Sequence, residues 1–405
     1  SATEQAQWNA AQSDYQLAKD KGRAARGKEA GSPEARAAIK ILDAAIASYK
    51  KIERGSRYFE QAMVQIGMCQ FRRATWRPSA ANEAFRIFDD YLEVFIKNPD
   101  NTPQDARGRK TRADASAQAD FYRGQTRYKQ AKSGEHNHWT GVLKAYAGFI
   151  HRHPDQRADA GASLVSMLEA HIALDDEPMA TAAYDEIVAS NYPDARIAQA
   201  AHYMFGFWNA KVKQQKGEER ISSLTKAADY LGVANLRTSK KIWQNMLKEG
   251  RLRLEINQPA VASDILEKVL RDFSNDKSFS ASNQFFAQLD LVDAYLVQFN
   301  TAQAGPIINQ LLKDRPKNLR VITAASKVLA GWPVVRDEKV IEVDGVNTAD
   351  AFTRANLLIT TLTRLAEKEA NDNEVNKFDH PPYWEARLQF AYLLYKRSQT
   401  DTTFK

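Results

Sequence analysis

The sequence predicts an all-α fold, an α-α superhelix built from antiparallel helical hairpins. Three observations predict it. Apolar residues recur at a period of 3.6 almost throughout the 405 residues. Only 18 Gly and 13 Pro punctuate the chain, too few for an all-β protein with many tight turns. A short pattern of Ala, then an aromatic or apolar residue, then Pro returns along the chain at intervals compatible with one hairpin unit. Apolar residues at 43% support a sizeable core and exclude disorder for most of the length.

The first helix precedes a basic, Gly-rich stretch, Lys19 to Glu34, which lacks an apolar face and reads as an exposed loop. After Ser32-Pro33 a helix places Ile39, Leu42, Ile46, Tyr49 and Ile52 on one stripe. A second helix has apolar positions at Phe59, Ala62, Met63, Ile66, Met68 and Cys69, and Phe85, Phe88, Leu92 and Phe95 mark a third before Asn98-Pro99. About fourteen to sixteen helices follow one another at short range, so neighbours in sequence pack antiparallel. The boundaries expected are N-terminal helices over 1–55, a repeat array over 56–330, an irregular or β-hairpin insertion over 331–348, and capping helices over 349–405. Within the insertion, 332–347 alternates apolar and polar residues around Val340, Ile341 and Val343, with Asp344-Gly345 as a turn signal.

The segment beginning at Ala84-Phe85 and ending at Pro99 is echoed from Ala145 to Pro154 and from Ala180 to Pro193, with weaker copies from Ala262 and Ala304. The terminators Pro99, Pro154, Pro193 and Pro316 lie 55, 39 and 123 residues apart. Small Ala lets the second helix of a hairpin approach the first, and an aromatic four residues later fills the groove to the next unit. A Gly lies upstream inside a helical stretch at Gly67, Gly124 and Gly206. Mid-helix Gly costs about 1 kcal/mol against Ala, so it marks close helix contact.

These residues resemble the tetratricopeptide repeat, and Tyr146 to Asp155 and Tyr184 to Asp194 are similar in style to repeats of bacterial outer-membrane assembly lipoproteins. The spacings of 17 residues from Gly67 to Ala84 and 21 from Gly124 to Ala145 exceed the family's, so helices or loops are lengthened. The resemblance implies a non-catalytic scaffold for protein-protein interaction, binding through first helices that line an inner surface. It places Gln65, Arg73, Arg127, Tyr128, His202 and Asn209 as candidate partner contacts. It also favours the periplasm or cell envelope over the cytoplasm, although the sequence itself leaves the compartment open. Ser1-Ala2-Thr3-Glu4 lacks the regions of a secretion signal, as a processed chain also would.

Chemistry-bearing constellations are few. Cys69 is the single cysteine, which excludes an intrachain disulfide and a cysteine zinc cluster. His136-x-His138 and His151-x-His153 flank one helix about 20 Å long, so the pairs cannot share one ion; a helix-end role accounts for them. Asp175-Asp176-Glu177 ahead of Pro178 reads as a helix cap. There is no phosphate loop, nucleophile elbow or His-Glu-x-x-His pair, so no catalytic residue, metal or cofactor is expected. No apolar run is long enough to span a bilayer. The net charge of +7 is unevenly spread, +5 over 101–150, −6 over 151–200 and +5 over 201–250, so units can neutralise one another and nucleic acid is disfavoured as a partner. The densest basic segment comprises Arg107, Arg109, Lys110, Arg112, Arg123, Lys129 and Lys132, a solvated face or a stripe for phosphate or an acidic partner. The competing functional readings are a structural subunit of an envelope or filament assembly and, less favoured, a carbohydrate-active enzyme, which would need a carboxylate pair in a large cleft.

Overall fold

The computed structural model describes residues 2–97, 103, 105–134, 138–330, 334–336, 339–341 and 349–400. It divides into two compact units, Ser1–Met204 and Phe205–Lys405. In the first unit the helices are α1 (Ala2–Ala24), α2 (Pro33–Lys50), α3 (Phe59–Arg73), α4 (Ala80–Phe95), α5 (Ala106–Lys132), α6 (His138–Tyr146), α7 (Phe149–Arg152), α8 (Arg157–Ala173) and α9 (Glu177–Ala189). The boundary between units falls within α10 (Asp194–Val212). The second unit continues with α11 (Gly217–Arg237), α12 (Trp243–Glu255), α13 (Pro259–Asp272), α14 (Ala281–Val297), α15 (Thr301–Asp314), α16 (Leu319–Ala330), α17 (Ala349–Asp372) and α18 (Pro381–Thr400). Between α16 and α17, strands β1 (Val334–Arg336) and β2 (Lys339–Ile341) pair antiparallel, Val334 opposite Ile341.

Helix starts follow their capping residues. Ser32 Oγ accepts from Ala35 N at 3.2 Å with Pro33 at the first helical position, so α2 begins where the sequence indicates. Asp105 caps α5 by accepting from Gly108 N at 2.8 Å, and Asp176 caps α9 by accepting from Met179 N at 3.3 Å. Within each unit, consecutive helices pack, and first helices of successive hairpins also touch, as α3 does α5 and α14 does α16. In the first unit one core runs from Ala11 of α1 to Ala119 of α5; in the second another runs from Trp243 of α12 to Ala325 of α16.

Glycine meets a large side chain across several of the helix pairs. A Cβ on Gly67 of α3 would lie 2.5 Å from Phe88 of α4, and one on Gly124 of α5 would overlap Tyr146 of α6. Gly161 meets Tyr192 and Gly250 meets Leu266 in the same way. The aromatic residue therefore closes on its own hairpin's first helix; Phe88 additionally stacks on Tyr122 of the next hairpin, with centroids 6.2 Å apart. Gly206 is different. It is exposed with nothing near its missing Cβ, so it marks no helix contact.

Two sequence boundaries shift. The helix α1 continues to Ala24 and Ala25 is buried, so the loop expected over Lys19 to Glu34 shrinks to the turn before Pro33; Lys, Arg and Ala there favour helix. The stretch Lys144 to Ile150 is broken at Gly148, whose φ of +70° takes the left-handed conformation and starts α7 on a new axis. The turn expected at Asp344-Gly345, the terminator Asn98-Pro99, His136 and most of 332–347 lie outside the described residues.

Candidate functional site

The candidate site lies in the first unit, on the side of the first helices turned away from their hairpin partners. Gly67 and Gly124 fix the packed side of α3 and α5. At about 100° per residue, Gln65 stands about 200° from Gly67, opposite that side. On α5 the positions Asp114, Gln118 and Tyr122 recur every four residues and form one stripe. These residues, with Gln61 and Gln65 of α3, Trp8 of α1, and Gln156 and Asp159 at the start of α8, enclose a cavity of about 400 Å3.

The cavity wall is polar and rich in acceptors. Gln65 Nε2 donates to Gln118 Oε1 at 3.4 Å, while Gln65 Oε1 is buried without a hydrogen-bond partner. Among the described residues neither Asp114 nor Asp159 has a cation within ion-pair distance. Burial raises the Asp159 carboxyl, and the charge of Arg196 partly offsets that rise. Two aromatic residues frame the space. Trp8 stacks on Tyr58, centroids 5.2 Å apart and planes 9° apart, and Tyr122 stands edge-on to Phe71 at 5.1 Å. Further along α5, outside the cavity, Tyr128 donates to Glu169 of α8 and Lys132 Nζ donates to the same carboxylate at 2.6 Å.

Of the six partner contacts expected from the sequence, only Gln65 lines the cavity. Arg73 points to α2, its Nε 3.3 Å from Asp43. Arg127 lies three residues past Gly124, near the packed side, and its guanidinium sits 3.5 Å over the Phe85 ring and 3.2 Å from His138 Nδ1. Tyr128 packs edge-on against Trp139. His202 is exposed on α10, and Asn209 is half-buried on the part of α10 that belongs to the second unit. The residues missed were Trp8, Gln61, Asp114, Gln118, Tyr122, Gln156 and Asp159; the stripe on α5, read as the side opposite Gly124, was the available signal.

The basic segment does not form one stripe. Arg107, Arg109 and Lys110 are exposed on the first turns of α5. Arg112 grips Glu60 with two nitrogens, at 2.9 and 2.5 Å, and lies over Phe95. Arg123 bridges Asp89 and Asp120, each at 3.0 Å. Lys129 donates to Phe71 O at 3.1 Å and Thr75 Oγ1 at 2.8 Å. Lys132 pairs with Glu169. The histidines also separate, His138 facing Arg127 and His153 Nε2 lying 3.2 Å from Asp120. Among the described residues no three metal-ligating side chains converge, and no helix is long and apolar enough to cross a membrane.

No family model matches the chain, and no curated protein matches it. A solved structure is similar. It is a human IFIT1 dimer with PPP-AAAA, at 13% sequence identity and a TM-score of 0.24, over 83% of this chain and 80% of that one. A superposition that loose places no residue of the cavity, whose geometry stands on its own.

Proposed function

We propose that the chain is a non-catalytic helical-repeat scaffold, a tetratricopeptide-like solenoid interrupted by the 332–347 insertion, that binds an extended segment of a partner protein along the first helices of its N-terminal unit. The observation that carries this reading is the cavity between α3, α5 and α8. Its carboxamides, from Gln61, Gln65, Gln118 and Gln156, can offer donors and acceptors to a peptide main chain, and Gln65 Oε1 is buried and unsatisfied. A buried acceptor without a donor costs free energy that a bound N–H would recover. Asp114 and Asp159 add negative charge without a paired cation, so the segment bound there carries Lys or Arg.

The test is affinity capture from native extract with mass spectrometry, repeated with Gln65→Ala/Gln118→Ala and with Asp114→Lys. The expected result is a polypeptide retained by the natural chain and lost by both variants, with their helical circular dichroism and melting temperature unchanged. Retention of the same polypeptide by both variants would remove the cavity from the function.

A further inference from the structure

Three residues of the basic segment that the partner-binding reading leaves unused, Arg109, Arg112 and Arg123, line a second cavity of the first unit, about 610 Å3 in volume. Lys97, Arg109, Arg112, Arg123, Arg152 and His153 face it, and among the described residues Asp120 is the only carboxylate in its wall. Its remaining surface is largely apolar, formed by Leu92, Ile96, Pro103 and Ala113. We propose that this cavity binds a small organic oxyanion, a phosphoryl group attached to an apolar or aromatic body.

The cations are held in place before any ligand arrives. Glu60 grips Arg112, Asp89 holds Arg123, and Glu93 pairs with Lys97 at 2.5 Å; none of these three carboxylates lines the cavity. Each anchor fixes one edge of its cation from outside the wall. Asp120, with its side chain 3% exposed, draws two guanidiniums and an imidazole together: Arg123 at 3.0 Å, Arg152 at 2.7 Å and His153 at 3.2 Å. One carboxylate in the wall against five Lys and Arg side chains leaves positive potential on the cavity side. A guanidinium carries five N–H donors, so one already bound to a carboxylate retains others. Arg123 shows this directly, because its Nε is buried and has no acceptor. A phosphoryl group supplies several charged acceptor oxygens that can be shared between arginine forks. The wall of Leu92, Ile96 and Pro103 beside those forks selects an anion with an apolar body over a bare ion.

Calorimetric titration of the full chain with phenyl phosphate, inorganic phosphate and benzoate tests the assignment. Phenyl phosphate is expected to bind at one site per chain, more tightly than either other probe. Arg109→Glu, on an exposed residue, weakens it about tenfold or more. Ile96→Ser, on the apolar wall, reduces the advantage of phenyl phosphate over inorganic phosphate. Three results would overturn the proposal: no saturable binding of phenyl phosphate, equal binding of inorganic phosphate, or affinity unchanged in both Arg109→Glu and Arg152→Gln. Preference for benzoate would replace the phosphoryl group by a carboxylate and refute the class named.

Discussion

At Gly67 and Gly124 the absence of a single methyl group decides how closely two helices approach. Alanine at either position collides with a buried ring, Phe88 or Tyr146, and both rings are enclosed and cannot withdraw without moving their helices. Gly67→Ala and Gly124→Ala are expected to cost about 1–3 kcal/mol each in urea unfolding, the range for overpacked cores. Gly206→Ala, in a helix with open space at that position, is expected to gain up to about 1 kcal/mol. Equal responses at all three sites would show that close approach is not what glycine provides here. Asp120 is the other decisive residue. Burial alone would raise its carboxyl, but hydrogen bonds from His153 and Arg152, with the charges of Arg152 and Arg123, outweigh burial and hold it below the usual range. A depressed acid stabilises the fold above the pKa of the unfolded chain and loses that contribution as pH falls through the folded value. The natural chain is therefore expected to lose more stability than Asp120→Asn between about pH 5 and about pH 3. At neutral pH the substitution is expected to destabilise by about 1–3 kcal/mol, because it removes the charged acceptor that Arg123 and Arg152 share while both guanidiniums stay partly in solvent. A parallel pH dependence in both proteins would count against the pairing.

Within single helices, the features legible in the sequence are those that a residue's own chemistry dictates. Ser32 and Asp176 cap because their side chains reach the free N–H groups of the first turn, and Ile39, Leu42 and Ile46 share a stripe because the period brings them together. What packs opposite a helix is not written in its own residues. Gly124 marks a contact without saying which side of α5 it gives to α6, and Arg127 and Tyr128, expected on a partner surface, contact Phe85 and Trp139. Basic residues of α5 read as one solvated or phosphate-facing stripe because their acidic partners, Glu60 of α3, Asp89 of α4 and Glu169 of α8, lie 34 to 52 residues away in sequence. Lys129 shows the consequence of that packing. Burial between α5 and α3, together with nearby Arg72, lowers its ammonium to about 8. The fold disfavours the charged form, so the contribution of Lys129 to stability rises as pH climbs from about 8 toward its unfolded value of about 10.4. Lys129→Met is expected to remove that rise, measured as the change in melting temperature between about pH 7 and about pH 9.5. An identical change in the natural chain would place Lys129 in solvent.

At the level of the whole unit, contacts between sequence neighbours distribute stability along the chain. In Ser1–Met204 the helix α2 packs on α1 and α3, whereas α8 packs on α5, α6 and α9. Stability in such an arrangement is close to a sum of local terms and nearest-neighbour interfaces, so damage spreads only a short distance. Leu42 of α2 is 1% exposed and lies in the core that joins α1 to α5. Leu42→Ala is expected to cost about 2–5 kcal/mol locally. Hydrogen exchange should then show faster opening of α1, α2 and α3, with α8 and α9 close to their natural protection. If protection instead falls equally in α8 and α9, the unit unfolds as one cooperative body, and the chain of separable interfaces on which the repeat reading depends does not exist.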